Sequence, residues 1–441
     1  MTNANAYDTP PTPPHKGDAS KPAGDRRALT FILITVVLDV IGLGIIIPVL
    51  PQLIADVAGA SAGGSPVSLS EAASIGGWLM FAYAFMQFLA APVLGNLADA
   101  HGRRPILLCG LAILAMDYLI MALAPTLLWL FIGRTMAGMA AATFTTAFAY
   151  IADITPKENR AARFGLVGAA FGVGFIIGPA IGGVLGAIDV RLPFFAASAL
   201  CIINLLFGLF VLPESLPKSR RRTFDIRRAN PVGTLISFLP IKPVLYLILA
   251  YACLELALQV YPVIWAYFTP VQYGWSTAQV GLSLAFFGFL ICLGEGVLIR
   301  IVLRWFGEHG VVIGASVLTI ATMLLFSVIS STWGAYAVMV FAGVSGIGTT
   351  AIQALASGAV DESRQGEVTG AITSAKSMVF FIAPPIMTGL FALFTRPENP
   401  LPNLPGAPFV FAAAVAALMF VPYFNARKLG ISDSAEQRGD A

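Results

Sequence analysis

Hydrophobic residues in this chain come in long unbroken runs separated by short polar loops. A helix that crosses a bilayer needs about 20 mostly apolar residues. Windows of that length fall at 29–51, 74–98, 106–124, 127–152, 162–186, 191–213, 241–268, 277–299, 310–330, 332–360, 367–394 and 407–426. The runs are continuous, whereas a membrane barrel shows ~10-residue segments of alternating polarity. Many hold glycine and single prolines, which membrane helices tolerate. The pattern predicts an all-α membrane protein with twelve transmembrane helices.

Composition agrees and excludes the competing classes. Of the 441 residues, 57% are hydrophobic and 11% charged, against roughly 25% charged in a soluble globular chain. Mean hydropathy is +0.83. A cytosolic enzyme, a disordered regulator and a disulfide-stapled secreted domain are all ruled out. The net charge of +3 is too balanced to point to nucleic acid. Cys109, Cys201, Cys253 and Cys292 lie in apolar runs without CxxC spacing, so metal and disulfide readings fail. The chain carries no GxxxxGK[ST] phosphate loop and no His/Cys ligand cluster, so an ATP-driven pump or membrane metalloenzyme is excluded and no cofactor is expected.

Basic residues set the orientation. With the N-terminus inside, 22 of the 26 Lys and Arg fall in inner segments and only Arg191 and Arg396 in outer loops, a strong positive-inside bias. That places both termini in the cytoplasm and the protein in the cell's inner membrane. Residues 1–28 carry several prolines and charges but no small-residue cleavage pattern, and read as a disordered cytoplasmic tail. Residues 214–240, with the basic run Arg220–Arg222, divide a bundle over 29–213 from one over 241–427, and 428–441 form a second tail.

The two halves echo each other. Phe175-Ile-Ile-Gly178-Pro179 in span 5 answers Phe380-Phe-Ile-Ala383-Pro384 in span 11. Asp153 closes span 4 as Asp361 closes span 10. Asp99, Gly102 and Arg103 match Arg304, Gly307 and Glu308 at identical spacing with the signs exchanged. Parallel repeats of this kind are the plan of transporters that rock two bundles about a central site.

Several stretches carry a family resemblance. Gly95-Asn-Leu-Ala-Asp99-Ala-His-Gly102-Arg103-Arg104 resembles the loop 2–3 signature of the major facilitator superfamily, and Arg134 to Gly138 its span 4 RxxxG signature. Gly174-Phe-Ile-Ile-Gly178-Pro179-Ala-Ile-Gly182-Gly183 is similar to the span 5 motif of drug:proton antiporters at every fixed position. Leu38-Asp39-Val-Ile-Gly42-Leu-Gly44, the stretch Asp117 to Thr126, and Gln353-Ala-Leu through Arg364-Gln365-Gly366 resemble the tetracycline-efflux group. The resemblance implies two pseudo-symmetric six-helix bundles working as a monomer, and proton-driven export of a small drug-like molecule by alternating access. That group usually carries a histidine and an acid where this chain has Ile291 and Leu318, a departure that bears on tetracycline as the substrate more than on the export class. A proton-coupled importer or facilitator of a small nutrient shares the fold and stays open as the alternative.

Charges inside hydrocarbon cost roughly 2.5–3.5 kcal/mol even on a lenient insertion scale, so each is expected to face a cavity or a partner. They are Asp39, Asp117, Arg134, Glu255, Glu295 and Lys376. Arg134 cannot lose its proton and is expected to tune Asp39 or Asp117 as proton carrier. Glu255, Gln259, Tyr261, Trp265, Gln353 and Lys376 are expected to meet substrate, with Tyr83, Phe85, Tyr150, Tyr251 and Tyr267 as further aromatic walls. Asp99 is placed to latch the halves through the amides opening span 11 or through Arg364, and Arg304 to do the same against Asp153 or Glu158. The span 5 glycines and Pro179 are expected to seal or hinge the seam between halves.

Overall fold

The computed structural model describes residues 22–61, 63–141, 143–224, 241–361 and 364–430. The readings of 1–21, 225–240 and 431–441 as tails and linker lie outside them. We number the spans α1 Pro22–Ile46, α2 Leu69–His101, α3 Arg103–Leu123, α4 Leu127–Ile154, α5 Arg160–Ile188, α6 Leu192–Val211, α7 Lys242–Tyr273, α8 from Thr277, α9 to Val328, α10 Thr332–Gly358, α11 Gln365–Thr395 and α12 Ala407–Lys428. Among the described residues eleven helices are long and apolar enough to cross a membrane, one of them the rod Thr277–Val328, broken at Gly307, that carries both α8 and α9.

Local chemistry explains where these helices begin and break. The first helix starts at Pro22, seven residues before the expected span, because proline is pre-set for the first helical position. Residues 22–28 therefore belong to α1, not to a tail. Ser68 opens α2 through a reciprocal capping box with Glu71, and Ser276 opens α8 through one with Gln279, each satisfying amides that have no partner within the helix. Gly102, with φ 109°, ends α2, and Gly307, with φ 64°, breaks the α8–α9 rod. Both conformations favour glycine. The sequence repeat Gly102/Gly307 is thus a structural repeat: each half turns its second span into its third on a glycine with positive φ.

Spans α1–α6 and α7–α12 form two six-helix bundles that meet along two seams, α2 on α11 and α5 on α8. The end carrying loops 102, 155–159 and 212–224 is here the basic end. At the other end the bundles are in contact. Ser70 and Thr395 hydroxyls lie 2.7 Å apart, and Arg396 donates to Ser74 at 3.3 Å. A Cβ on Gly77 would sit 2.0 Å from Thr388 Oγ1, and one on Gly183 2.8 Å from Gly281 Cα. Toward the basic end the seams part, and the space between bundles becomes a chamber.

Candidate functional site: a chamber shared by both bundles

In the first bundle, α3 and α4 bring Asp117 and Arg134 together as a buried ion pair, with Arg134 donating to Asp117 Oδ2. Asp117 has no exposed surface. Glycine at 133 makes the room, since a Cβ there would lie 2.7 Å from Asp117 Oδ1. The guanidinium sits over the rings of Tyr83 at 5.7 Å and Tyr118 at 5.9 Å, where the ring faces attract a cation. Gly138 lets α4 approach α2, because a Cβ at 138 would fall 2.2 Å from the Tyr83 carbonyl. Asp39 of α1 joins Arg134, Tyr83, Gln87 and Lys376 around a cavity of about 350 Å3. Its Oδ1 is buried and accepts no hydrogen bond. Asp117 stands behind Arg134 and does not line that space.

The span 5 motif is what places Asp39. Cβ atoms on Gly174, Gly178 and Gly182 would strike Val40, the Ile41 carbonyl at 2.7 Å and the Ile45 carbonyl at 2.0 Å. These three glycines face α1 inside their own bundle, so the expectation that the whole motif seals the seam between halves is corrected. Pro179 packs against Gly44 of α1, and its carbonyl lies against Gly281 across the seam. Gly183, facing α8, is the motif glycine at the seam itself.

In the second bundle, Lys376 of α11 forms an ion pair with Glu255 of α7 at 3.3 Å. The Tyr251 hydroxyl lies near both Gln353 and Glu255, which brings Gln353 into the cluster. Glu255, Gln259, Tyr261, Glu295 and Lys376 line a second cavity of about 220 Å3, together with Ile291. A third, of about 790 Å3, runs between α5 and α8 and also reaches Lys376. Lys376 lines all three, so its side chain is a wall common to the three cavities. Glu295 rides on a π-helical turn, Gly294–Leu298, inside α8; such turns are concentrated at functional sites.

Other expected wall residues lie elsewhere. Trp265 is buried, donates to Ser283 Oγ at 2.9 Å, and packs among Phe326, Phe268 and Trp275. The cavity it lines is a void of about 10 Å3, so its assignment to the chamber is corrected: the indole plugs the second bundle. Tyr267 is fully buried against Gly76, and Tyr150 donates to the Pro213 carbonyl at the basic end. Phe85 stacks on Phe81 and meets Phe381 edge-on in the α2–α11 seam.

The loop signature is built, but its partners differ from those expected. Asp99 pairs with Arg103 at 2.6 Å, and Arg103 Nε reaches Asp153 Oδ2 at 3.3 Å. Arg364 pairs with Glu367 of its own helix at 3.1 Å. Arg103 holds Asp153, one of the two acids expected to latch Arg304, and Arg304 itself is exposed. With the basic end parted, charges on opposite sides of the gap take neighbours on their own side. Gly95 has open space where a Cβ would point.

Sequence reasoning missed Glu214. Its Oε1 accepts from the Arg103 amide at 2.8 Å, and Arg221 lies 3.7 Å from its Oε2. A Cβ on Gly102 would stand 2.3 Å from that oxygen. Arg222 N donates to the Asp99 carbonyl at 3.1 Å, and Arg104 to the Leu209 carbonyl at 2.7 Å. The chain leaving α6 is thus fastened onto the α2–α3 turn. The one signal available was an acid placed directly after Pro213, where the polar connection begins.

Two pseudo-symmetric six-helix bundles around a charged chamber define a secondary transporter. The chain belongs to the Major Facilitator Superfamily, whose family model matches residues 32–384. It is 39% identical to the tetracycline resistance protein, class C, of Escherichia coli over 382 residues, which cover 87% of this chain and 94% of that one. It is 33% identical to the class H tetracycline resistance protein of Pasteurella multocida over 407 residues, 91% of this chain and 97% of that one. Among solved structures, a bacterial homolog of the human lysosomal transporter Spinster overlays with a TM-score of 0.73 at 16% identity, covering 93% of this chain and 98% of that chain. The nucleoside transporter NupG gives 0.70 at 12% identity, covering 91% and 99%.

Proposed function

We propose that this protein is a proton-coupled antiporter that exports a small amphipathic, drug-like molecule from the cytoplasm. One observation carries the reading. The Asp39 carboxylate, with a buried oxygen that accepts no hydrogen bond, faces a chamber shared by both bundles beside the Arg134–Asp117 pair. Asp117 is committed to Arg134 and is shut away from the chamber, so it holds the guanidinium in place. Asp39 is the carboxylate a proton or a substrate can reach, and it lines the same cavity as Arg134. Protonation removes its negative charge and weakens its hold on a bound solute, and deprotonation restores both.

Glu255, Gln259, Gln353, Tyr261 and Lys376 form the opposite wall, where polar groups fix the orientation of an otherwise apolar guest. The basic bias of the loops puts both termini and the open end of the chamber in the cytoplasm, in an inner membrane. An outward direction accords with the relatives' description as resistance proteins. Ile291 lines the second cavity, so the departure from the tetracycline-efflux pattern falls where a substrate would lie, and a different guest is expected.

The test uses proteoliposomes with an imposed pH gradient and a panel of amphipathic compounds that includes tetracycline. Uptake against a gradient that collapses with a protonophore, and substrate-induced proton movement lost in Asp39→Asn, are expected. Accumulation that persists without any ion gradient would end the coupling argument.

A further inference from the structure

Each bundle sets two carboxylates around one base. In the first, Arg134 is committed to Asp117, which leaves Asp39. In the second, Lys376 pairs with Glu255 at 3.3 Å and lies over the Phe380 ring at 5.7 Å, while Glu295 forms no ion pair among the described residues. Four acids against two bases leave a net charge of −2 when all are ionised. Two protons, one in each bundle, bring it to zero.

The second set is not a copy of the first. At the spacing that matches Phe175 with Phe380 and Asp99 with Arg304, Lys376 stands where the first bundle has Phe171, and Glu295 where it has Ala90. Its members nevertheless converge. Glu255, Lys376 and Glu295 lie about 16–20 Å of helix from the basic ends of α7, α11 and α8, at 1.5 Å per residue, and they line one cavity of about 220 Å3. Glu295 is carried on the π-helical turn, in which the Ile299 N–H donates to the Gly294 carbonyl. Gly294 is buried on α10, where a Cβ would lie 3.1 Å from the Gly343 carbonyl. The bare glycine brings α8 against α10, and the residue after it is exposed, lining both that cavity and the cleft between α5 and α8.

The charged neighbours of Glu295 are Lys376 and Glu255, with the titratable side chains of Tyr251 and Cys292 nearby. Gly343 and Val344 of α10 meet the first residue of the turn, and α5 contributes Phe171, Gly172 and Phe175 to the cleft. Arg300, further along the same rod, is exposed. No base in the cavity is therefore left over to neutralise Glu295 when the open end closes around it, and a charge shut into an apolar setting without a partner is costly.

We propose that Glu295 is a second proton-binding carboxylate, so that this protein moves two protons per cycle, one on each bundle. The inference rests on the proposed coupling through Asp39 and adds a site to it. Lys376, a wall common to the cavities of Asp39 and Glu295, links the two. With Glu295 ionised, the lysine faces two carboxylates; with Glu295 protonated, it is left with Glu255 as a neutral pair.

The test follows the two access states by pulsed electron–electron distance measurement on the full chain in lipid nanodiscs, with the proton as the only ligand. Spin labels on Ser219→Cys and Ala359→Cys, in a background without the four native cysteines, report the ratio of parted to closed basic ends as the pH is stepped. At its steepest, the logarithm of that ratio changes with pH by the number of protons that distinguish the two states. The ratio is expected to change about a hundredfold per pH unit in the otherwise wild-type chain and about tenfold in Glu295→Gln or in Asp39→Asn, with no change in the double variant. Glu295→Asp, which keeps a titrating acid and controls for folding, retains the steeper slope. A one-proton slope in the otherwise wild-type chain, or a two-proton slope that persists in Glu295→Gln, overturns the proposal. A one-proton slope that Asp39→Asn abolishes and Glu295→Gln leaves alone sinks the second site and leaves the coupled exporter standing. A ratio indifferent to pH removes both.

Discussion

Replacing Asp117 by alanine strands the Arg134 guanidinium in a pocket where its only ion partner among the described residues was that carboxylate. Removing one member of a buried pair costs roughly 3–5 kcal/mol, because the remaining charge stays buried without compensation. At 1.4 kcal/mol per decade, the folded fraction relative to unfolded drops by about two to three and a half powers of ten. The Tyr83 and Tyr118 rings beside the guanidinium recover a small part of this, ~0.5–2 kcal/mol in a desolvated site. The double variant Asp117→Leu/Arg134→Met removes both charges at similar volume, and replacements of that kind are neutral or stabilising. Its melting in detergent, followed by intrinsic fluorescence, should return close to wild type, while substrate–proton exchange in liposomes stays lost. A double variant as unstable as Asp117→Ala would show that the damage does not come from an uncompensated charge. Recovered exchange would show that Arg134 has no part in coupling. Either result refutes the reasoning.

Asp39→Asn is expected to uncouple the protein, abolishing pH-driven accumulation while substrate counterflow between equal pH compartments continues; a pH-sensitive dye inside the liposomes reads the difference. Gly182→Ala places a methyl 2.0 Å from the Ile45 carbonyl. Overpacking of that kind costs typically 1–3 kcal/mol, so the melting temperature should fall and transport should fall with it as Asp39 is displaced; unchanged melting would count against the α1–α5 contact. Glu214→Gln loosens the chain after α6 from the α2–α3 turn. Spin labels at Ala98 and Ser219 should report a broadened distance, and a distribution identical to wild type would dispose of the fastening role.

Much of this was legible from sequence because bilayer physics leaves few options: apolar run length alone located the spans. The charges drawn into hydrocarbon were legible for the same reason, and the structure brings Asp39, Arg134 and Lys376 to one cavity and Glu255 with Lys376 to a second. What one-dimensional reading could not supply was which charge neutralises which. Asp117 and Asp39 looked equivalent partners for Arg134, yet α3 and α4 are neighbours and give the pair to Asp117. Trp265 looked like a wall because helical spacing does not say whether a buried indole faces a cavity or a packed core. The latch residues Asp99 and Arg364 were right about the loop but not about its partners, since a signature cannot reveal which end of a two-state protein is parted. Glu214 has no pattern of its own; it matters because the chain returns to a turn more than a hundred residues earlier.

The contacts that hold the far end shut are few and individually weak. Beyond glycine-mediated packing, the polar links across the α2–α11 seam include the Ser70–Thr395 hydroxyl pair and the Arg396–Ser74 bond. Each contributes only about 0.5–1.5 kcal/mol net. A seam of that strength can be traded for the pairs that would form if the basic end closed, where Asp99, Arg103 and Arg364 would face each other. Alternating access thus needs no strong clamp at either end, only two sets of modest contacts that exclude one another. The idea is open to a direct test, because the Ser70 and Thr395 oxygens are 2.7 Å apart, close enough for cysteines there to bridge. Ser70→Cys/Thr395→Cys, in a background without the four native cysteines, should lose transport on oxidation and regain it with a reductant. A cross-link complete by gel shift and yet transporting at the reduced rate would mean that this seam never opens, and the exchange of contacts at the two ends could not be how the chamber changes sides.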